Sequence, residues 1–220
     1  MYYNLNALIL NSATSSEADK TVTLYTPDWG KIHAVVPSAK KIIAKLSPAT
    51  EPVTESEITI YQTSPHSKPT VTGARILNNH TPVKQDIKKY YIALYVSELS
   101  DKFAATNMPN EKKYDLISRT WHLLGSSDVP LRVLTAFSLR LLKISGYSMT
   151  DYVARQSAMR KDDFCCLQKI SNCSGDDLEC LEGFDGRKDT LMWNYVENYI
   201  KTYVPQLAVG TFLKKIKFIN

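Results

Sequence analysis

Four cysteines lie close together in the sequence, and cysteine is a residue that commonly binds metal ions. They are Cys165, Cys166, Cys173 and Cys180. Thiolates are preferred ligands of tetrahedral structural zinc, so a small zinc site is one interpretation. Two of the cysteines are adjacent and none belongs to a Cys-x-x-Cys pair, the usual zinc knuckle. The alternative is a set of reduced thiols that bind no metal.

Lysines and aromatic residues around one predicted hairpin form a second candidate site. Binding of a single-stranded nucleic acid needs cations that contact phosphates and rings on which bases stack. The candidate cations are Lys31, Lys40, Lys41 and Lys45, and the candidate rings are Tyr25, Trp29 and Tyr61. Arg75 of a later strand could join the same surface. The alternative is that the lysines keep the rim of a sheet soluble while the rings pack its core.

The sequence contains no recognisable catalytic constellation. The four histidines are far apart, and there is no glycine-rich phosphate loop, Gly-x-Ser-x-Gly or His-x-x-x-His motif. Two carboxylate pairs stand near the cysteines in a polar stretch, where a solvated loop would account for them: Asp162 with Asp163, and Asp176 with Asp177. We therefore predict a protein that is not an enzyme.

The composition is that of an ordinary globular protein of 220 residues, with 44% hydrophobic and 22% charged residues. The formal net charge of +5 permits a polyanionic partner without requiring one. No apolar run approaches the ~18 residues of a membrane span, and no signal peptide is evident. We expect a cytoplasmic protein with no membrane partner.

The elements that would carry the hairpin residues are short β-strands. Pro27 and Gly30 mark a turn between strands at 20–26 and 31–36, because proline presets φ and glycine accepts a positive φ. Further strands are predicted at 5–11, 53–61 and 70–77. Five short antiparallel strands within about 80 residues fit an OB-fold β-barrel. An SH3-like barrel fits the count almost as well.

From Thr81 the apolar period changes from two to 3.6, which predicts helices. They are expected at 81–105, from Asn110 to Gly125, at 131–145, at 189–204 and, as a short last helix, at 207–216. The third is nearly apolar and should lie at the centre of a helical bundle. The prediction is an α+β multidomain chain, with an OB-fold domain at 1–80 and a helical domain at 81–220 that includes a cysteine-containing insert at 148–188.

Several motifs of the chain, in this order, resemble those of the RecO family of bacterial recombination mediators. They are the apolar strand 7–10, the acidic-to-apolar segment 17–24, Thr26-Pro27-x-x-Gly30, the small basic loop 38–41, Tyr95-x-x-Glu98-Leu99-x-Asp101, and Phe137-x-x-Arg140-Leu141-Leu142-x-x-x-Gly146-Tyr147. The resemblance covers nearly the whole chain, and it rests on the combination of the motifs rather than on any one of them.

The resemblance implies a role in DNA repair and homologous recombination. It implies binding of single-stranded and double-stranded DNA, annealing of complementary strands, and help in loading a recombinase onto DNA coated by the single-stranded-DNA-binding protein SSB. RecR and the C-terminal tail of SSB are the implied protein partners, and the bacterial cytosol or nucleoid is the implied location. Family members often carry a four-cysteine zinc insert, which favours the zinc interpretation.

Arg132 and Arg140 are the candidates for binding the SSB tail. An acidic, hydrophobic tail needs an apolar pocket with a cation for its terminal carboxylate, and the predicted third helix offers both. The alternative is that each arginine pairs with a neighbouring carboxylate. For the whole chain, the alternative function is a protein–protein adaptor that binds no nucleic acid. This alternative is supported by Ile42, Ile43 and Ala44, which stand where the resemblance leads us to expect more arginine and lysine in the basic loop.

Overall fold

The computed structural model describes residues 1–14, 19–37, 46–64, 67–147, 149 and 159–203. The chain divides into two compact units. Residues 1–81 and 100–118 form the first unit, and residues 82–99 and 119–220 form the second. Within the described part of the chain, no helix combines the length and the apolar character that a bilayer-spanning segment requires.

The first unit is built on a five-stranded sheet. Its strands are β1 (Tyr2–Thr14), β2 (Lys20–Thr26), β3 (Gly30–Val36), β4 (Thr54–Tyr61) and β5 (Thr70–Asn78). They pair in the order β1-β2-β3-β5-β4, and β4 pairs again with β1. Only β3 and β5 pair in parallel, through the single residue pair Val35 and Thr70. The OB-fold is likewise a five-stranded barrel arrangement. The prediction of an OB-fold domain followed by helices is confirmed.

Alternate residues of each strand fill the core of this sheet, because successive side chains of a strand point to opposite faces. In β3, Ile32, Ala34 and Val36 are buried whereas His33 is exposed. The core also takes residues from the other four strands: Leu5, Ala7, Ile9, Val22, Leu24, Ile58, Ile60 and Val71. A short 3-10 turn, Pro48–Thr50, precedes β4.

The predicted turn between β2 and β3 is present. Gly30 has a φ of 68°, in the left-handed region that glycine tolerates best. Thr26 closes the turn with its side chain, because its Oγ1 accepts a hydrogen bond from the Trp29 N–H at 3.0 Å and donates to the Gly30 carbonyl at 3.3 Å. The turn thus fixes the direction in which Trp29 leaves the sheet.

The helices are α1 (Thr81–Gln85), α2 (Ile87–Phe103), α3 (Glu111–Ser126), α4 (Pro130–Ile144), α5 (Lys161–Asn172) and α6 (Gly186–Tyr203). The single helix predicted at 81–105 is two helices, because the Asp86 carboxylate accepts hydrogen bonds from the Lys88 and Lys89 N–H groups and begins a new helix. Asn110 caps α3 as predicted, accepting from the Lys113 N–H at 3.0 Å.

Of the described helices of the second unit, α4 is the most buried, and it packs against α5 and α6. Its buried apolar residues include Leu134, Phe137, Leu141 and Leu142, as expected for a central helix. Helix α5 was not predicted. Another 3-10 turn, Asp176–Leu178, lies between α5 and α6. The short helix predicted at 207–216 lies outside the described residues.

Candidate nucleic-acid interface

The β2–β3 hairpin is covered by residues 101–110, which run from the end of α2 to the residue before α3 and are called the connector here. Lys31 forms a parallel bridge with Thr106, and its carbonyl accepts a hydrogen bond from the Asn107 N–H at 2.9 Å. A Cβ atom at Gly30 would lie 2.1 Å from the Met108 carbonyl oxygen, so only glycine permits this approach. Part of the hairpin is therefore a docking surface for the connector.

The side chain of Lys31 is engaged by the connector as well. Its Nζ donates to the Asp101 carbonyl at 2.7 Å and lies 3.1 Å from the Asp101 carboxylate, and the side chain is only 13% exposed. Lys113 acts similarly, because its Nζ donates to the Phe103 carbonyl at 2.7 Å. Burial lowers the pKa of Lys113. The two ammonium groups satisfy carbonyls at the C-terminus of α2, where the helix itself leaves them without partners.

The two aromatic candidates of the hairpin have different environments. Tyr25 is buried beneath the connector, and its hydroxyl donates to the Asn110 carbonyl at 3.4 Å. Burial raises the pKa of Tyr25 to about 12. Trp29 is half-buried and packs edge to face against Tyr3, with ring centroids 4.8 Å apart and planes at 67°. Trp29 is therefore the more accessible of the two rings.

A groove of about 740 Å³ opens beside Trp29 and is called the hairpin groove here. Four segments line it: β1, the β2–β3 hairpin, the β4–β5 loop, and the connector. The principal lining residues are Tyr3, Asp28, Trp29, Ile32, His33, Lys68, Pro69, Thr106, Asn107 and Pro109. In OB-folds the β4–β5 loop is one of the elements that bind oligonucleotides. The volume lies in the range of ordinary ligand sites.

The charge of the hairpin groove is nearly balanced. Lys68 and Asp28 are the charged side chains among its described lining residues. The Lys68 ammonium donates to the Thr21 hydroxyl at 3.3 Å, and His33 Nδ1 lies 3.2 Å from the Thr23 hydroxyl. The groove therefore offers stacking and hydrogen bonding rather than strong charge.

Lys40, Lys41 and Lys45, the other predicted phosphate contacts, lie outside the described residues.

Arg75 lies on the outer face of β5, away from the groove lining. Its guanidinium pairs with the Glu57 carboxylate on the neighbouring strand, with Nη2–Oε2 at 2.9 Å and Nε–Oε2 at 3.0 Å. The side chain is 71% exposed. The structure thus brings Trp29 to the groove, engages Lys31 and Tyr25 with the connector, and leaves Arg75 on a separate surface. Their roles in DNA binding remain predictions.

Arg132, in the second unit, is buried in a bidentate ion pair. Its Nε and Nη2 donate to the two Asp189 carboxylate oxygens at 2.8 and 3.1 Å. Its Nη1 donates to the Leu178 carbonyl at 2.6 Å, and its guanidinium lies 4.9 Å from the centre of the Phe184 ring. The carboxylate pairing that the sequence allowed as an alternative is therefore present, and it joins α4 to α6.

Arg140 also binds the segment between α4 and α6. Its Nε donates to the Ser171 carbonyl at 3.1 Å and its Nη2 donates to the Cys173 carbonyl. Burial lowers the pKa of the half-buried guanidinium. Both arginines thus hold the cysteine-containing segment against α4, and their binding of a partner tail remains a prediction.

The four cysteines are free thiols, Cys165 and Cys180 exposed, Cys166 and Cys173 half-buried. Among the described residues, no three potential metal ligands within 4.8 Å of one another include a cysteine. Burial, and then the Asp177 carboxylate, raise the pKa of Cys173, which opposes formation of a thiolate ligand. This arrangement does not fit a tetrahedral thiolate site, and no functional step below depends on zinc.

The prediction that Asp162 and Asp163 belong to a solvated loop is wrong for Asp163. It lies buried in the first turn of α5, where its oxygens accept hydrogen bonds from the Lys188 ammonium and the Tyr195 hydroxyl, each at 3.2 Å. Burial, and then Asp163, raise the pKa of Tyr195. The sequence signal for α5 was the spacing of Phe164, Leu167 and Ile170, three residues apart within a polar stretch.

Comparison with known proteins shows the family of the chain. The family model described as recombination protein O, N terminal, matches residues 1–80, and the model of its C terminal part matches residues 84–150. The chain belongs to the RecO family. The resemblance drawn from the sequence motifs is thereby confirmed.

Curated RecO proteins align with about two thirds of the chain. DNA repair protein RecO of Heliobacterium modesticaldum is 30% identical over 145 residues, which are 66% of this chain and 52% of that protein. DNA repair protein RecO of Desulforamulus reducens is 30% identical over 146 residues, 66% of this chain and 55% of that protein. DNA repair protein RecO of Moorella thermoacetica is 28% identical over 144 residues, 66% of this chain and 53% of that protein. The chain spans about half the length of these RecO relatives.

Proposed function

We propose that the chain is a non-enzymatic DNA repair and recombination protein that binds single-stranded DNA at the hairpin groove. The observation that carries the proposal is the edge-to-face pair of Trp29 and Tyr3 beside the β4–β5 loop of an OB-fold. Membership of the RecO family supports the same role, because its curated relatives are named DNA repair proteins.

In this proposal, stacking supplies most of the affinity inside the groove. An unpaired base lies against Trp29, and the groove side chains of His33 and Asn107 face its polar edge. Phosphates are contacted by Lys68 at the mouth of the groove and by the basic loop that carries Lys40 and Lys41. Lys45 belongs to the same loop. Double-stranded DNA binds more weakly because its bases are already stacked.

The mediator activity extends this proposal to protein partners. The chain anneals complementary strands and helps load a recombinase onto SSB-coated DNA, together with RecR, in the bacterial cytosol. Of the two arginines proposed for the SSB tail, Arg140 is the better candidate, because it is half-buried whereas Arg132 is 3% exposed and already bound to Asp189. Zinc binding by the cysteines is not part of the proposal.

Fluorescence anisotropy of a labelled single-stranded oligonucleotide tests the groove. Trp29→Ala should weaken binding by about five- to 150-fold, since one base–aromatic stack is worth ~1–3 kcal/mol. Met108→Ala is the matched control, because Met108 is a 64% exposed side chain of the same unit that does not line the groove. The affinity of the control should stay within about twofold. Equal affinities of the Trp29 variant and the unchanged protein would place DNA outside the groove.

Salt dependence tests the predicted basic loop. Each neutralised phosphate releases counterions, so the logarithm of the affinity should fall linearly with the logarithm of the salt concentration. The double variant Lys40→Glu/Lys41→Glu should make this slope shallower by about two phosphate contacts. An affinity that did not change with salt would contradict backbone binding.

A protein–protein adaptor is the second candidate function, favoured by the balanced charge of Lys68 and Asp28 in the groove. Under this alternative the chain binds no oligonucleotide at any salt concentration, and the reversal of Lys40 and Lys41 has no effect on its partners' binding. The anisotropy measurement on the unchanged protein separates the two functions.

A further inference from the structure

The outer face of the sheet carries two exposed tyrosines that contact each other, Tyr2 in β1 and Tyr61 in β4, called the outer aromatic pair here. They are directly opposite in the strand register, with ring centroids 5.0 Å apart and planes at 46°. Tyr2 is 69% exposed and Tyr61 is 37% exposed. We propose that this pair is a second contact for unpaired bases, so that one OB domain engages two single strands. The inference rests on the proposed function.

The outer aromatic pair and the hairpin groove lie on opposite faces of the same strand. Consecutive residues of a strand point to opposite faces, so Tyr2 and Tyr3 diverge. Tyr3 packs beside the core of the sheet with Trp29, whereas Tyr2 meets Tyr61 in solvent. A base on one face leaves the other face accessible to a second strand. Two single strands held on one domain would lie close enough to each other to anneal.

The neighbouring residues on the outer face supply hydrogen-bonding groups. Asn4 and Thr59 form the next pair of the same row, and the Thr59 hydroxyl donates to Asn4 Oδ1 at 2.8 Å. This bond fixes the amide of Asn4 and directs its nitrogen to other acceptors. Gly73 lies opposite Thr59 on β5 and has no side chain, so nothing rises from β5 at that position. The surface beside the rings is therefore low and polar.

The charges of this face do not repel a phosphate backbone. Glu57, one row beyond Asn4 and Thr59, is neutralised by its ion pair with Arg75. Glu55, at the far end of β4, accepts from the His80 ring at 3.0 Å and from the Ser118 hydroxyl at 2.8 Å. Glu57, which pairs with Arg75, is four residues from Tyr61, about 13 Å along β4 at ~3.3 Å per residue, so this ion pair adds no net charge near the rings.

The size of the exposed aromatic surface favours bases over a protein partner. A tyrosine side chain offers at most ~200 Å², so the exposed fractions of Tyr2 and Tyr61 amount to roughly 200 Å² together. A stable protein interface buries ~800 Å² on each partner. One or two stacked bases cover an area similar to the exposed area of the two tyrosine rings. Cross-strand aromatic contact also stabilises the sheet, so the test needs variants that separate stacking from folding.

The test uses the full chain and two readouts. The double variant Tyr2→Thr/Tyr61→Thr removes both rings and keeps residues that favour strands. Leu77→Thr is the matched control, because Leu77 is a 47% exposed side chain of β5 outside the pair. Annealing of two dye-labelled complementary oligonucleotides is followed by energy transfer. Photo-crosslinking of a 5-bromodeoxyuridine oligonucleotide, mapped by mass spectrometry, reports which rings contact bases.

We expect the double variant to anneal at least about fivefold more slowly, because each stack contributes a factor of that size or more. Its affinity for one strand should stay within about twofold, and Leu77→Thr should match the unchanged protein. The variant Tyr2→Phe/Tyr61→Phe keeps the rings and should keep the rate, which guards against a folding defect. Crosslinks to Tyr2 or Tyr61 should persist in Trp29→Ala.

Different failures identify different errors. If the unchanged protein binds no oligonucleotide, the proposed function and this inference both fall. If it binds and Trp29→Ala weakens binding, but the double threonine variant anneals normally, only the second contact is overturned. Loss of binding to another protein without a change in annealing would also overturn it, since the pair would then be a protein contact. Crosslinks confined to the groove would overturn the second contact as well.

Discussion

Replacing Arg132 with methionine removes the guanidinium that joins α4 to α6. Its three described hydrogen bonds go to both Asp189 oxygens and to the Leu178 carbonyl, and the side chains of Arg132 and Asp189 are only 3% and 8% exposed. Removing one partner of a buried ion pair costs ~3–5 kcal/mol, because the remaining charge stays buried without compensation. Arg132→Met should therefore lower the free energy of unfolding by about this amount.

The size of the loss can be read from thermal unfolding. For a chain of this length, 1 kcal/mol corresponds to ~2–4 °C, so the melting temperature should fall by roughly 10 °C. Arg75→Met is the matched control, because the side chains of Arg75 and Glu57 are 71% and 40% exposed and such exposed pairs contribute less than ~1 kcal/mol. The control should melt within about 3 °C of the unchanged protein.

A double-mutant cycle tests whether Asp189 is the reason. Asp189→Leu should destabilise the protein to a similar extent, and Arg132→Met/Asp189→Leu should lose less than the sum, with a coupling of ~2–3 kcal/mol. Far-ultraviolet circular dichroism, which reports all helices of the chain together, follows the unfolding. A loss below ~1 kcal/mol for Arg132→Met, or additive single losses, would refute the structural role and return Arg132 to the candidates for partner binding.

Three further predictions concern the hairpin and the cysteines. Gly30→Ala should lower the melting temperature by several degrees, because its Cβ would lie 2.1 Å from the Met108 carbonyl; an unchanged melt would show that the connector does not dock there. Tyr25 should not ionise until about pH 12 in an absorbance titration. Since its pKa is raised on folding, its contribution to stability is complete below pH ~10 and is lost as the pH rises towards 12, and Tyr25→Phe should remove that loss. Cys165 should react with a thiol reagent at pH 8 before Cys173, whose pKa is raised. Stoichiometric zinc in the purified protein would contradict the conclusion that the described cysteines form no tetrahedral thiolate site.

The periodic parts of the fold were predictable from sequence. Alternation in β3 identified the faces of Ile32 and His33, and proline with glycine identified the turn, because strands and turns have local sequence signals. The predicted cap at Asn110 was also correct. The break at Asp86 was missed because its carboxylate competes with the helix by a local hydrogen bond, which apolar periodicity does not register.

The candidate site was only partly predictable, because it depends on contacts between distant residues. Trp29 was identified from the hairpin, but Tyr3 and Lys68 come from segments with no motif of their own. The connector placed Asp101 against Lys31, a pairing 70 residues apart in sequence. One faint signal existed: Asn107 has a φ of 57°, a conformation that asparagine tolerates better than most residues, so its type marked a turn without revealing what the turn covers.

The bridge between Lys31 and Thr106 also bears on aggregation. One edge of β3 pairs with β2 along its whole length, and the other edge meets the connector at Lys31 and β5 at Val35. Between these two contacts, the described pairings leave only residues 32–34 of that edge without a partner strand. This stretch is too short to bind an added strand stably. A long exposed edge is a template for joining another chain. By covering the start of β3, the connector keeps a β-rich domain from polymerising through its own edge.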